Sequence, residues 1–438
     1  MTDRQTLFPR RTVVVGTFVP TVVLELGIGA AAPLIVATAT SMGSTLALAG
    51  VLAALPAVGQ ILADLPAGSL ADRFGDRTAM LLAGVVAGLG FVGAALSGST
   101  WVLGVSLVLV GAAAAVFHLA RHSYLTEITP PLARGRVLTT LAGVHRLGAF
   151  LGPFAGAGVV LLGGVRAGYW LGAVCALLAA AVLLAVGPDE KAAPSRPGRT
   201  RRAERAGRTR GAERAELTSS PTASPTASTT PVLTMRRIVA DHWRVLTTLG
   251  IGVFLVGAVR GARNTVLPLW GEHLGIDPAT VALVVGVAAA VDVVVFYPSG
   301  MVMDAFGRMW AGIPGALGMG VALALLPMAG ALWSYVVVAV LLGAANGWSS
   351  GILMTLGSDV APAAGRAKFL GAWRVIQDSG GSAGPLIVAG VAAVASLAWG
   401  LWAVALTGLG AALALWRWVP RWSVHATRAT RRAAGIGR

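Results

Sequence analysis

The sequence predicts an all-α membrane protein of twelve transmembrane helices, arranged as two pseudo-symmetric six-helix bundles. Three observations lead there. Apolar residues make up 56% of the 438 and charged residues only 12%, against about 25% charged in soluble domains. Read in windows of about 19 residues, the chain alternates long apolar stretches with short polar loops, the pattern of membrane-spanning helices. Finally, polar and helix-breaking residues recur at a constant spacing of 232, so that one half of the chain repeats the other.

Taken in order, the spans are placed near 12–38, 45–70, 78–97, 101–126, 136–162, 167–187, 244–270, 279–303, 309–330, 333–357, 368–395 and 398–418. Arg10-Arg11 ahead of an apolar run has the look of a secretion signal. The run from Val13 to Ala39 is too long for one and carries Glu25 midway, so it reads as the first span. Lys and Arg cluster on alternate sides: Arg4, Arg10 and Arg11, then Arg73 and Arg77, Arg134 and Arg136, the central segment, Arg308, Arg366 and Lys368, and the basic end of the chain. The positive-inside rule then puts both termini and the central segment in the cytoplasm and the spans in the plasma membrane. The expected domains are a bundle over 1–187, a largely disordered cytoplasmic linker over 188–243, a second bundle over 244–419 and a basic cytoplasmic tail over 420–438. The linker is charged or rich in Ser, Thr and Pro, with too few large apolar groups to offset the ordering of a chain.

The repeat carries more than glycine. Gly68, Asp72, Phe74 and Gly75 match Gly300, Asp304, Phe306 and Gly307, and Pro130, Arg134 and Leu138 match Pro362, Arg366 and Leu370. Gly148, Gly152 and Pro153 match Gly380, Gly384 and Pro385, while Glu127 and Arg136 keep their charge as Asp359 and Lys368. The register holds without a gap from Gly43 to Gly158.

The segment GSLADRFGDR, Gly68 to Arg77, resembles the loop-two motif of the major facilitator superfamily, and GMVMDAFGR from Gly300 resembles its second copy. Asp76 stands where a basic residue is usual. The resemblance spans the chain outside the linker and tail. It implies the twelve-span fold, alternating access by two rocking bundles, and a latch at the inner ends of the helices. The latch residues would be Asp72 with Arg73, Arg77, Glu127 and Arg134, joined by Asp64 about a turn away, and in the second copy Asp304, Gly307 and Arg308. From the residues themselves, Gly75 permits a tight turn of positive φ and Gly68 admits a neighbouring backbone; a plain topological turn is the alternative to a latch. In span five, GAFLGPFAG lays Gly148, Gly152 and Gly156 in a flat stripe with Pro153 beside them, suited to close helix packing. It resembles the motif of drug:proton antiporters in the family, with Ala157 replacing the last Gly, and implies export. Gly380, Gly384 and Pro385 of span eleven share the pattern, so part of it belongs to the repeat. The family's span-four arginine is not matched, because Leu107 occupies its place.

Ionisable side chains inside a membrane are costly and mark a functional site or a buried pair. Glu25, on a helix that lines the central cavity in the family, is read as an isolated acid that loads and releases a proton; an ion pair with an Arg of another span is the alternative. Arg260 and Arg263, with Asn264, form a polar patch on span seven that would bind an anion or neutralise Glu25, unless Arg263 snorkels outward. Arg146 on span five is expected to pair with Asp292 on span eight, at matching depth, or else to face the cavity and bind substrate. The symmetry-related site holds Asp378 with Gln60, and Asp378 leans on Arg374 one turn earlier. His118 and His122 share a helix face at metal-ligand spacing but show no third ligand in the sequence, so no metal site is expected.

The net charge of +16 lies in the linker, tail and loops without interleaved aromatics, which disfavours a nucleic-acid partner. Cys175 stands alone, so no internal disulfide forms. No phosphate-binding G-x-x-x-x-G-K-[ST] loop, Ser/His/Asp set or metal cluster is present to support a pump or an enzyme, and no cofactor is expected. The expected function is proton-coupled efflux of a small amphiphilic molecule by a monomer in the lipid bilayer. Uptake of a metabolite or organic anion, or a sensor on the same scaffold, is the alternative.

Overall fold

The computed structural model describes residues 14–129, 134–186, 235–362 and 364–435; the side chains of Asp72 and Arg134 lie outside the description, as does the linker through 234. The described residues form helices and no strands. A π-turn, Val14–Phe18, leads into α1 (Val19–Ala31), and α2 (Leu34–Ser41) completes the first span. The N-terminal half continues with α3 (Leu46–Phe74), α4 (Asp76–Ala95), α5 (Thr100–Ile128), α6 (Arg134–Gly163) and α7 (Ala167–Ala185). A short helix, α8 (Met235–Asp241), falls within the segment expected as linker. The second half comprises α9 (Trp243–His273), α10 (Pro278–Phe306), α11 (Arg308–Leu325), α12 (Leu332–Trp348), α13 (Ile352–Val360), α14 (Arg366–Val394) and α15 (Leu397–Trp422), followed by α16 (Arg428–Ala433).

Among the described residues, eleven helical spans are long and apolar enough to cross a membrane. The twelfth, α14, has 29 residues, enough at 1.5 Å per residue to cross the hydrocarbon core. It falls short in apolarity because Arg374, Gln377 and Asp378 interrupt it. Side-chain caps start many of the helices: Thr45 accepts from Leu48 N, Ser99 from Val102 N, Asp277 from Ala279 N and Thr280 N, and Ser396 from Trp399 N. Each supplies an acceptor to an amide that has no partner within its own helix.

Two spans expected as single helices are broken. In the first, Pro33 interrupts the hydrogen-bond ladder between α1 and α2. In the tenth, Gly351 adopts φ +87° between α12 and α13, and Ser349 and Ser350 occupy the turn. Their repeat counterpart α5 is continuous, so this break is private to the second half.

The halves meet through α3 on α14 and α6 on α10. Within each half the glycine stripe sets a close approach. A Cβ on Gly148, Gly152 or Gly156 would press on Glu25, Gly29 or Ala30 of α1, and one on Gly380 or Gly384 on Phe254 or Ala258 of α9. At the end of the molecule opposite the two motif loops, Thr40 donates to Glu272 Oε1 at 2.6 Å. These two residues stand 232 apart, so repeat mates bond across the internal pseudo-symmetry axis.

The two motif loops differ. Gly75 and Gly307 both turn at positive φ, 84° and 113°. Gly68 leaves a Cβ only one contact, Leu119 Cδ2 at 3.9 Å, so the close backbone approach expected there is absent. Arg77 donates to the Leu183 carbonyl, Arg73 lies over the Phe74 ring, and Glu127 is exposed. Around the second copy, Arg308 pairs with Asp359 at 3.0 Å and with the exposed Asp304 at 3.6 Å. Ser423 Oγ donates to the same Asp359, and the Arg308 and Met309 amides donate to the carbonyls of His425 and Ala426. Arg428 and Arg431 donate to the last carbonyls of α10, at Met303, Asp304 and Ala305. The Met303 carbonyl also accepts the capping Gly307 amide; carbonyls at a helix end look outside the helix for donors, and cations favour that end of the helix dipole. The basic tail thus packs on the second motif loop.

Candidate functional site

A cavity of about 600 Å3 lies between the halves. Ile28, Phe150, Pro153 and Leu267 give it an apolar wall, while Arg146, Arg260, Arg263, Asp292, Asn346 and Ser350 give it a polar one. A smaller cavity of about 310 Å3 shares Glu25, Gln60 and His145 with it and is lined further by His118, Arg121 and Arg374.

The first polar cluster is built by three helices of the N-terminal half. Glu25, on α1, is 4% exposed. His118 Nε2 of α5 and His145 Nδ1 of α6 each stand 2.6 Å from its Oε1, and Arg121 Nη1 stands 3.4 Å from the same oxygen. An ionised carboxylate only accepts, so each facing ring nitrogen carries the proton of that bond. The expectation of an isolated Glu25 is therefore corrected: the acid is held by two imidazoles and a guanidinium. His122 is exposed and takes no part. The ligand atoms of Glu25, His118 and His145 do lie within 4.8 Å of one another. Arg121 already supplies the countercharge there and would repel a divalent ion, so the arrangement suits a proton better than a metal.

The second cluster belongs mostly to the C-terminal half. Asp292 of α10 receives Arg263 Nη1 at 3.3 Å and Asn346 Nδ2 at 2.6 Å on Oδ2, with Arg146 Nη1 at 3.7 Å from Oδ1. The expected pair of Arg146 and Asp292 is present, with Arg263 as a nearer partner. Arg263 faces Asp292 and neither neutralises Glu25 nor snorkels outward. Arg146 also donates to Ser350 Oγ at 2.5 Å and lies over the Phe296 ring, 4.1 Å from its centroid. Arg260 donates to Ser349 O at 2.5 Å and to Ser349 Oγ at 3.1 Å; its Nε is buried with no hydrogen-bond partner. The break between α12 and α13 makes this possible, because it turns Ser349 and Ser350 toward the arginines.

Arg374 and Asp378 pair one turn apart on α14 at 3.3 Å, as expected. Asp64 lies within electrostatic reach of both. Sequence reasoning missed His145, Asn346, Ser349 and Ser350. The histidine was legible as an ionisable residue beside Arg146, and the G-W-S-S-G run as a polar interruption of an apolar span.

The family model described as Major Facilitator Superfamily matches residues 17–385 and 249–434. The chain is 30% identical over 113 residues to multidrug resistance protein MdtH of Proteus mirabilis, covering 26% of this chain and 28% of that protein. It is 33% identical over 105 residues to the human facilitated glucose transporter member 12, covering 23% of this chain and 17% of that protein. The matched stretches therefore span less than half the length of these curated relatives. Among solved structures, a peptide transporter POT in complex with sulfate superposes with a TM-score of 0.72 at 16% identity, covering 98% of this chain and 100% of that one. A D-xylose-proton symporter superposes with a TM-score of 0.65 at 17% identity, covering 91% and 96%.

Proposed function

The chain belongs to the Major Facilitator Superfamily, and on that premise we propose that it exports a small amphiphilic molecule across the plasma membrane in exchange for protons, by alternating access. The observation that carries this reading is the convergence of His118 and His145 on Glu25 at the edge of a cavity that runs between the two halves. A carboxylate held by two imidazoles has both a proton acceptor and a relay beside it. The smaller cavity gives that cluster a second exposure, past His118 and Arg374. The opposite ends of the halves are tied by Thr40 and Glu272, which supports access to the cavity from the motif-loop side, the side that the positive-inside rule assigns to the cytoplasm.

Coupling has a short path. His145 holds Glu25 of the first half, and the next residue, Arg146, reaches Asp292 and Ser350 of the second. A change of protonation at Glu25 that moves the His145 ring shifts the same turn of α6 that carries Arg146. The apolar wall and the partial resemblance to multidrug resistance proteins support an amphiphilic cargo, carried by a monomer.

Everted membrane vesicles that contain the protein, incubated with a panel of dyes and drugs, test the reading. Accumulation should follow an inward-acid pH gradient and collapse when the gradient is dissipated. Accumulation independent of the gradient would remove protons from the mechanism.

A further inference from the structure

We infer that the molecule held in the cavity carries an oxyanion, such as a carboxylate, at one end of an apolar body; this rests on the transport reading and specifies its substrate class. The argument begins with a charge count. Around Asp292 stand Arg146, Arg260 and Arg263, so one carboxylate faces three guanidinium groups and two positive charges are left over. The neighbouring acids are turned to other cations. Glu25 is engaged by Arg121 and the histidines, Asp378 pairs with Arg374, and Asp64 lies in the field of that same pair. Uncompensated cations at membrane depth are costly and persist where a ligand or an aqueous path meets them.

The geometry specifies which groups are open to a ligand. Among the described residues, Arg260 donates to neutral acceptors, Ser349 O and Oγ, through Nη2, and its Nε is buried with no hydrogen-bond partner. Arg146 makes the longest of the Asp292 contacts, 3.7 Å, against 3.3 Å for Arg263. An arriving oxyanion therefore takes Arg260 and competes with Asp292 for Arg146; Arg263 and Asn346 stay on Asp292 Oδ2, while the buried Oδ1, which has no hydrogen bond, has Arg146 as its neighbour at 3.7 Å. Guanidinium forks suit the planar, two-oxygen shape of a carboxylate. The facing wall of Ile28, Phe150, Pro153 and Leu267 receives the apolar body, and a cationic ligand would meet like charge.

The test uses 1-naphthoate, its neutral analogue 1-naphthamide and the cation 1-naphthylmethylammonium. Each is bound to the purified full-length protein by equilibrium dialysis, with protein-free micelles as the blank. Naphthoate should bind at least about tenfold more tightly than the amide, and the ammonium least. Arg260→Gln should weaken naphthoate by about tenfold while leaving the amide within about twofold, and Arg260→Lys should keep part of the preference. Should the Gln variant fail to fold, the Lys variant must show an intermediate preference. Equal affinity for naphthoate and amide, preference for the ammonium, no naphthoate binding, or a preference that neither variant changes would each overturn the inference. Proteoliposomes with an imposed pH gradient separate this from the transport reading. Gradient-driven movement of the ammonium or amide but not naphthoate leaves transport standing and overturns the anion. Tight naphthoate binding without movement leaves the anion and overturns transport.

Discussion

At positions 232 apart, the two halves of the protein carry opposite chemistry on the same scaffold. Where the first half has Glu25, His118 and His145, the second has Gly257, Ser350 and Gln377. Where the second has Arg260, Arg263 and Asp292, the first has Ile28, Ala31 and Gln60. Each ionisable group thus faces an uncharged counterpart in its twin, and the acid–imidazole site and the arginine site divide between the halves. Among the ionisable residues of these two sites, only Arg146 has a charged counterpart, Asp378, of opposite sign. The symmetry is kept where backbone packing needs it, in glycines of the stripes and turns, and abandoned along the cavity.

The largest effect that would break this comparison is expected at Glu25. Glu25→Gln should lower pH-driven accumulation in everted vesicles by at least about tenfold while the protein remains inserted, because a neutral amide keeps the volume but cannot exchange a proton. Accumulation at the normal rate would return the Glu25 cluster to a purely structural role. The arginine site predicts a stability effect. Asp292→Asn leaves three guanidinium groups without an acid and should destabilise by about 3–5 kcal/mol in thermal melting, and Arg263→Gln on the same background should recover part of that loss. A double variant no more stable than Asp292→Asn alone would show that the two do not act as a pair. The smallest effect concerns what the halves share. Gly152→Ala and Gly384→Ala should each cost about 1–3 kcal/mol, because the added methyl meets Gly29 in one half and Ala258 in the other. Gly158→Ala, with open space at its Cβ, is the control and should be close to neutral. A large difference between the first two would mean that the close packing is not equivalent in the halves.

Much of the fold was legible because membrane insertion writes itself into composition: apolar runs and the repeat register are local and periodic. The pair of Arg146 with Asp292 was legible too, since both depth and the repeat pointed to it. The rest of the site was not, for a physical reason. Glu25, His118 and His145 come from three helices whose rotation about their axes depends on packing, and sequence spacing does not fix that rotation. Spacing along one helix could pair His118 only with His122, a pair set aside for want of a third ligand, whereas His145 of another helix shares Glu25 with His118. The break at Ser349–Gly351 was hidden by its apolar flanks.

The ribbon that runs from Ser423 to α16 has a consequence for handling the protein. It holds the second motif loop through Arg428 and Arg431, whose side chains are engaged with the end of α10. Both are also sites for trypsin. Cleavage there requires the ribbon to lift and its arginines to leave those carbonyls, so the rate of nicking reports on that loop without any label. The first motif loop has no such ribbon among the described residues, and the fragment pattern would follow one half of the molecule at a time.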